Sequence, residues 1–183
     1  MMVERRIERY VQGLSQVLGQ LPFGQIARFV ELLQRIREEG KSIFVFGNGG
    51  SAAAASHFAC DLGKGTVQEG KARLRVVTLH DIVTFSAYAN DRGYEWVFAE
   101  PLLSLAQKGD MAVGISTSGN SPNIIKAMEV ARKLGLITIG LTGYDGGQLK
   151  SLVDLCIIVP SEDMQYIEDA HLSIIHAVFR ALL

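Results

Sequence analysis

Four side chains in this 183-residue sequence have types and spacings suited to moving protons or holding a metal ion. His57 and Asp61 are four residues apart, so on a helix they share one face. Glu168 and His176 are eight apart, about 80° around a helix from one another. If the helices that carry the two pairs face each other, two imidazoles and two carboxylates converge. Mixed nitrogen and oxygen ligands of this kind suit zinc. The same groups suit a general acid and a general base on either side of a carbonyl carbon. Each part also has a plainer account. Glu168, Asp169 and Arg180 read equally as the wet face of an amphipathic helix, and Asp169 lies closer in angle to His176 than Glu168 does, which allows a structural Asp–His pair. His80 and His171 read as ordinary polar or capping residues.

Two loops carry a different chemistry. The first reads Gly47-Asn48-Gly49-Gly50-Ser51-Ala52 and follows the apolar run Ser42–Phe46. Its glycines let backbone approach a ligand closely, and a helix starting at Ser51 aims its free N–H groups at the same place. The second reads Ser116-Thr117-Ser118-Gly119-Asn120-Ser121-Pro122. Ser121 suits an N-cap and Pro122 the first helical position, so hydroxyls, a glycine and a helix N-terminus meet within one turn. Neutral donors of this kind hold a phosphate without a lysine. The glycine loop also fits a dinucleotide pattern, but the acidic residue that such a site needs about 20 positions later is missing: Glu69 falls in a loop and Asp81 comes too late.

The elements that must position these groups alternate. Ser42–Phe46, Leu74–Leu79, Met111–Ile115, Ile137–Leu141 and Leu155–Val159 are short, apolar, β-branched runs. Helical spacing covers Ser51–Leu62, Ile82–Leu105 with a break near Gly93, Ser121–Leu134 and Met164–Leu183. Alternation of this sort predicts an α/β fold, with one doubly wound, five-stranded parallel sheet covered on both faces. Ahead of it, Val3–Leu18 and Gly24–Glu39 form an amphipathic helical hairpin, punctuated by Pro22 and Gly24. Its apolar stripe makes residues 1–40 a natural oligomerisation surface, with residues 41–183 as the ligand-binding core of a single domain.

Hydrophobic residues make up 48% of the chain and charged residues 20%, the balance of a globular protein with a substantial core. A net charge of −1 removes the electrostatic reason to expect direct nucleic-acid binding. Val3–Arg9 is too charged for a secretory signal, and no apolar run approaches the ~20 residues of a membrane span. Cys60 and Cys156, one in a helix and one in a strand, have no disulfide-framework spacing. Together these features predict a cytoplasmic location.

The motifs Gly47-Asn48-Gly49-Gly50-Ser51, His57-Phe58-Ala59, Gly114 to Ser121, and Leu141-Thr142-Gly143 with Asp145-Gly146-Gly147 resemble those of the phosphoheptose isomerases, a branch of the SIS-domain family. The likeness runs from about Gly40 to the C-terminus, and the N-terminal hairpin fits it. It implies a flavodoxin-like SIS fold and an aldose–ketose isomerase that converts sedoheptulose 7-phosphate to D-glycero-D-manno-heptose 7-phosphate through a cis-enediol. Carried onto this sequence, it places phosphate on Ser51, Ser116, Thr117, Ser118 and Ser121, with Gly49 and Gly50 in the binding loop. Asn48 and Asp91 would hold sugar hydroxyls. His57, Asp61, Glu168 and His176 fall on zinc-ligand positions, one zinc per subunit. Asp61 or Glu168 would be the base that takes the C1 proton, with His176 as the second acid–base group. A homotetramer with active sites between subunits is implied as well. Three features depart from the family's usual residues: Asp61 stands for a glutamate one methylene longer, Glu168 for a glutamine, and Ala53-Ala54-Ala55 where many relatives carry an acidic residue. The competing expectations are a non-catalytic SIS regulator that associates with the bacterial replication initiator, and an isomerase of another sugar phosphate.

Overall fold

The computed structural model describes residues 2–183. Helices α1 (Met2–Gly19) and α2 (Phe23–Glu38) precede the α/β unit, and Pro22 stands at the N-cap of α2. Ile26, Phe29, Leu33 and Ile36 recur at helical spacing and bury one face of α2, with Val30 half-buried at its edge. Helix α1 behaves differently. None of its residues is buried, and Met2, Val3, Ile7 and Val11 lie exposed.

Five strands follow in one all-parallel sheet: β1 (Ser42–Gly47), β2 (Arg75–Thr78), β3 (Met111–Ile115), β4 (Ile137–Thr142) and β5 (Leu155–Ile158), in the order β2-β1-β3-β4-β5. Parallel neighbours need crossovers, supplied here by α3 (Gly49–Cys60), α4 (Ile82–Asp91), α5 (Ala99–Leu105), α6 (Pro122–Leu134) and α7 (Leu149–Leu152), before α8 (Met164–Ala181) closes the chain. The stretch 82–105 divides as its glycine predicts: Gly93, at φ +100°, ends α4, and a 3-10 turn at Tyr94–Trp96 leads into α5. The short α7 lacks a helical run long enough to be legible in the sequence.

Strand side chains alternate between faces, and the core divides accordingly. Ile43, Val45, Val113, Ile139 and Ile157 face one layer with Phe29, Phe58 and Ile174. Phe44, Phe46 and Ala112 face the other with Phe98, Leu102 and Met128. Each fully buried Leu, Ile or Phe contributes about 1.5–3 kcal/mol of apolar transfer, so these two layers hold the sheet rigid. The expected doubly wound architecture forms.

Helix α8 is the post on which α1, α2 and α3 all rest. Tyr10 on α1 donates to Asp169 Oδ2 at 2.6 Å, and its ring lies 4.9 Å from that of Tyr166. That bond to a carboxylate pushes the Tyr10 phenol up to about 12. Asp169 therefore pairs with Tyr10 rather than with His176. His171, 1% exposed, points from α8 into the sheet, its Nε2 3.1 Å from the Thr142 carbonyl oxygen, while Nδ1 has no partner among the described residues.

Burial lowers the His171 pKa from 6.5 to about 4. Between those values the unfolded chain binds more protons, so stability rises with pH; the contribution is complete above 6.5 and is lost as pH falls toward 4. A shift of that size is worth about 3 kcal/mol. Thermal unfolding followed from pH 7 to pH 4 is expected to show a steep loss of Tm that His171→Gln flattens; parallel profiles for the two proteins would contradict this.

Candidate active site

In an open α/β sheet, ligands bind beyond the carboxyl ends of the strands, where the strand order reverses. That point here lies between β1 and β3, whose last residues, Gly47 and Ile115, are paired in register. The glycine loop leaves β1 and the serine loop leaves β3, so the two candidate phosphate loops are neighbours at the switch point. Helix α3 begins at Gly49, two residues before the expected start, with Asn48 as its N-cap. Ser121 caps α6 by position but makes no side-chain cap bond. Its hydroxyl turns inward instead, 3.1 Å from that of Ser116. Ser51 and Ser116 are nearly buried, Thr117 and Ser118 half-buried. The first N–H groups of two helices and a set of hydroxyls therefore stand at the ends of neighbouring strands, donors of a kind that suits a phosphate.

The serine loop is held from behind by the chain leaving β4. The Gly143 N–H donates to the Thr117 carbonyl at 2.8 Å, the Leu149 N–H to the Gly119 carbonyl at 3.1 Å, and the Gln148 N–H to Asn120 Oδ1 at 3.0 Å. Gly119 has φ +64°, and a Cβ there would collide with the Gly146 carbonyl oxygen. The Thr142-Gly143…Gly146-Gly147 motif is thus a brace for the serine loop.

Helix α3 passes directly into a π-helical turn, Asp61–Gly65, a wide turn often found at functional sites. Helices α3 and α8 run alongside each other, and this alignment brings His57, Asp61 and His176 together. The two imidazole Nε2 atoms are 3.0 Å apart, and Asp61 Oδ2 lies 3.3 Å from His57 Nε2 and 3.9 Å from His176 Nε2. With metal–ligand bonds of about 2.0–2.1 Å, the ligand atoms of a tetrahedral zinc lie about 3.3 Å from one another. The three separations bracket that value, and two imidazoles with one carboxylate is a donor set that zinc accepts, with one position left open. This group can hold a metal ion.

Glu168 lies outside that group. Eight residues back on α8, about 12 Å of helical rise, it sits at the start of α3, where a Cβ on Gly50 would fall 2.7 Å from its Oε2. Asp91 ends α4, exposed, and accepts a 2.7 Å bond from Asn90. Asn48 is held by Asn123 and Tyr94, neither of them evident from the motifs. His80, two residues past the end of β2, braces the glycine loop: its Nε2 lies 3.2 Å from both backbone N and O of Gly47, its Nδ1 3.3 Å from Ser56 Oγ. Burial lowers the His80 pKa, keeping the imidazole neutral for that contact. A histidine at the carboxyl end of a strand beside the switch point was the available signal.

The SIS-domain family model matches residues 9–143. A phosphoheptose isomerase from Helicobacter hepaticus is 40% identical to this chain over 175 residues, 96% of the chain and 88% of the relative. The chain belongs to the phosphoheptose isomerases of the SIS-domain family. The structure of a phosphoheptose isomerase from Francisella tularensis superposes with a TM-score of 0.92 at 29% identity, and that of the Neisseria gonorrhoeae enzyme with 0.90 at 31%, each over 100% of this chain and 98% of the other. The family is one of sugar-phosphate isomerases, and this member is an enzyme. These relatives give no support to a regulatory SIS protein.

Proposed function

We propose that this protein isomerises sedoheptulose 7-phosphate to D-glycero-D-manno-heptose 7-phosphate. The observation that carries the reading is a cluster in which His176 of α8 meets His57 and Asp61, at the far end of the helix that opens with the glycine loop. Seven residues of α3 separate Gly50 from His57, about 10 Å of rise, and an extended seven-carbon chain with bonds of about 1.5 Å covers a comparable distance. A phosphate held at one end thus places the carbonyl carbons near the acid–base groups at the other.

Ser51, Ser116, Thr117, Ser118 and Ser121, with the Gly49 and Gly50 amides, grip the phosphate and make proton transfer effectively intramolecular. Asn48 and Asp91 hold sugar hydroxyls, and Glu168 adds an acceptor beside the glycine loop. Asp61 takes the proton from C1 and returns it at C2 of the cis-enediol, while His176 shuttles protons on the two oxygens. His57, Asp61 and His176 are the residues that would hold zinc; when bound, the ion polarises the carbonyl oxygen. Helices α1 and α2, with the exposed apolar stripe on α1, serve the proposed homotetramer. Among the described residues no helix is long and apolar enough to cross a membrane, and a cytoplasmic site of action is part of the proposal.

Incubation with sedoheptulose 7-phosphate, followed by NMR, is expected to yield the aldose heptose 7-phosphate, with a rate that falls on chelation and recovers with zinc. Absence of turnover with and without zinc overturns the assignment.

A further inference from the structure

We infer that Asn123 is a positioning residue that fixes the hydrogen-bonding polarity of Asn48, so that Asn48 offers the sugar a single N–H donor and no acceptor. The inference rests on the isomerase reading above. Asn123 is fully buried in the first turn of α6, and its amide faces that of Asn48 in a reciprocal pair: Asn48 Nδ2 donates to Asn123 Oδ1 at 2.9 Å, and Asn123 Nδ2 donates to Asn48 Oδ1 at 2.8 Å.

An amide pair of this kind is symmetric and by itself leaves open which side carries oxygen. The backbone breaks the symmetry. The Ile124 N–H, which can only donate, lies 3.0 Å from Asn123 Oδ1. That contact sets the Asn123 amide, which then sets Asn48. The Tyr94 hydroxyl, able to donate or accept, sits 3.0 Å from Asn48 Oδ1 and must donate. Both lone pairs of that oxygen are then occupied. One Asn48 Nδ2 hydrogen remains, and it is the only polar group the side chain has left for a ligand. The link also crosses the site, tying the glycine loop after β1 to the helix after the serine loop. Flipping the Asn48 amide would set oxygen against oxygen and leave buried groups unpaired.

A double-mutant cycle in kcat/KM for sedoheptulose 7-phosphate tests the inference. Asn48→Ala is expected to cost about 50-fold and Asn123→Leu about 20-fold, although the substituted side chain in the second variant lies away from substrate. The double variant is expected to be no worse than Asn48→Ala alone, because Asn123 acts through Asn48. Tyr94→Phe, at an exposed position, should cost severalfold in the parent and nothing in Asn48→Ala. Independent effects would multiply to about 1000-fold in the double variant, and that result overturns the inference. Where Asn123→Leu does not fold, Asn123→Asp keeps the shape and the acceptor but removes the donor, and its cycle is read in the same way. If the parent enzyme shows no turnover, the isomerase reading fails. The Asn123 claim then stands or falls on the same cycle read in Tm, where simply additive losses overturn it.

Discussion

Asp61→Asn is expected to lower turnover of sedoheptulose 7-phosphate by about a thousandfold in a protein that remains folded, while Glu168→Gln costs tenfold or less. The side chain of Asp61 is 23% exposed and stands 3.3 Å from His57 and 3.9 Å from His176, so it can act both as base and as metal ligand. An amide at this position neither takes a proton nor carries the charge that a divalent ion favours, and loss of a positioned acid–base group typically costs 10²–10⁴-fold. Glu168 sits two helical turns away beside Gly50, and a glutamine keeps its oxygen acceptor there. The measurement is kcat by NMR together with zinc bound per chain. Asp61→Asn should lose both, Glu168→Gln neither. Equal, mild effects from the two substitutions would remove Asp61 as the base.

Gly119→Ala is expected to lower kcat/KM by about a hundredfold and to lower Tm. A side chain at φ +64° costs about 1–2 kcal/mol. The added methyl also meets the carbonyl oxygen of Gly146, a backbone atom held by the Lys150 N–H at 3.2 Å, so the serine loop must move. A displacement of about 1 Å at a positioning element is enough for a hundredfold loss. The effect should fall on the phosphate grip, weakening the affinity for inorganic phosphate in step with kcat/KM. Gly24→Ala is the control: it lies in α2 with ordinary φ and open space around it, and its kinetics should match the parent. If Gly119→Ala binds phosphate as the parent does, the loop is not the phosphate site.

Much of this was legible in the sequence because the signals are local. Apolar β-branched runs, the glycine loop after one of them and the Ser121-Pro122 helix start depend on neighbouring residues, and the five strands form within a residue of their expected bounds. His57 and Asp61 are joined by helical spacing alone. The other half of the cluster is not local. Whether α8 presents His176 or Asp169 to α3 depends on how two helices far apart in the chain lie against each other. The packed alignment decides it: Asp169 turns to Tyr10, His176 meets His57, and Glu168 stays at the glycine loop. His80, Tyr94 and Asn123 belong to the same class. They have ordinary sequence neighbours, yet the sheet order β2-β1-β3 sets each of them against the glycine loop or its Asn48. The sequence by itself determined the elements and the inventory of reactive groups, because propensity, periodicity and capping act over one or two turns. Only the tertiary structure decided which groups share a site and with what polarity, because that depends on contacts between residues as many as 159 positions apart.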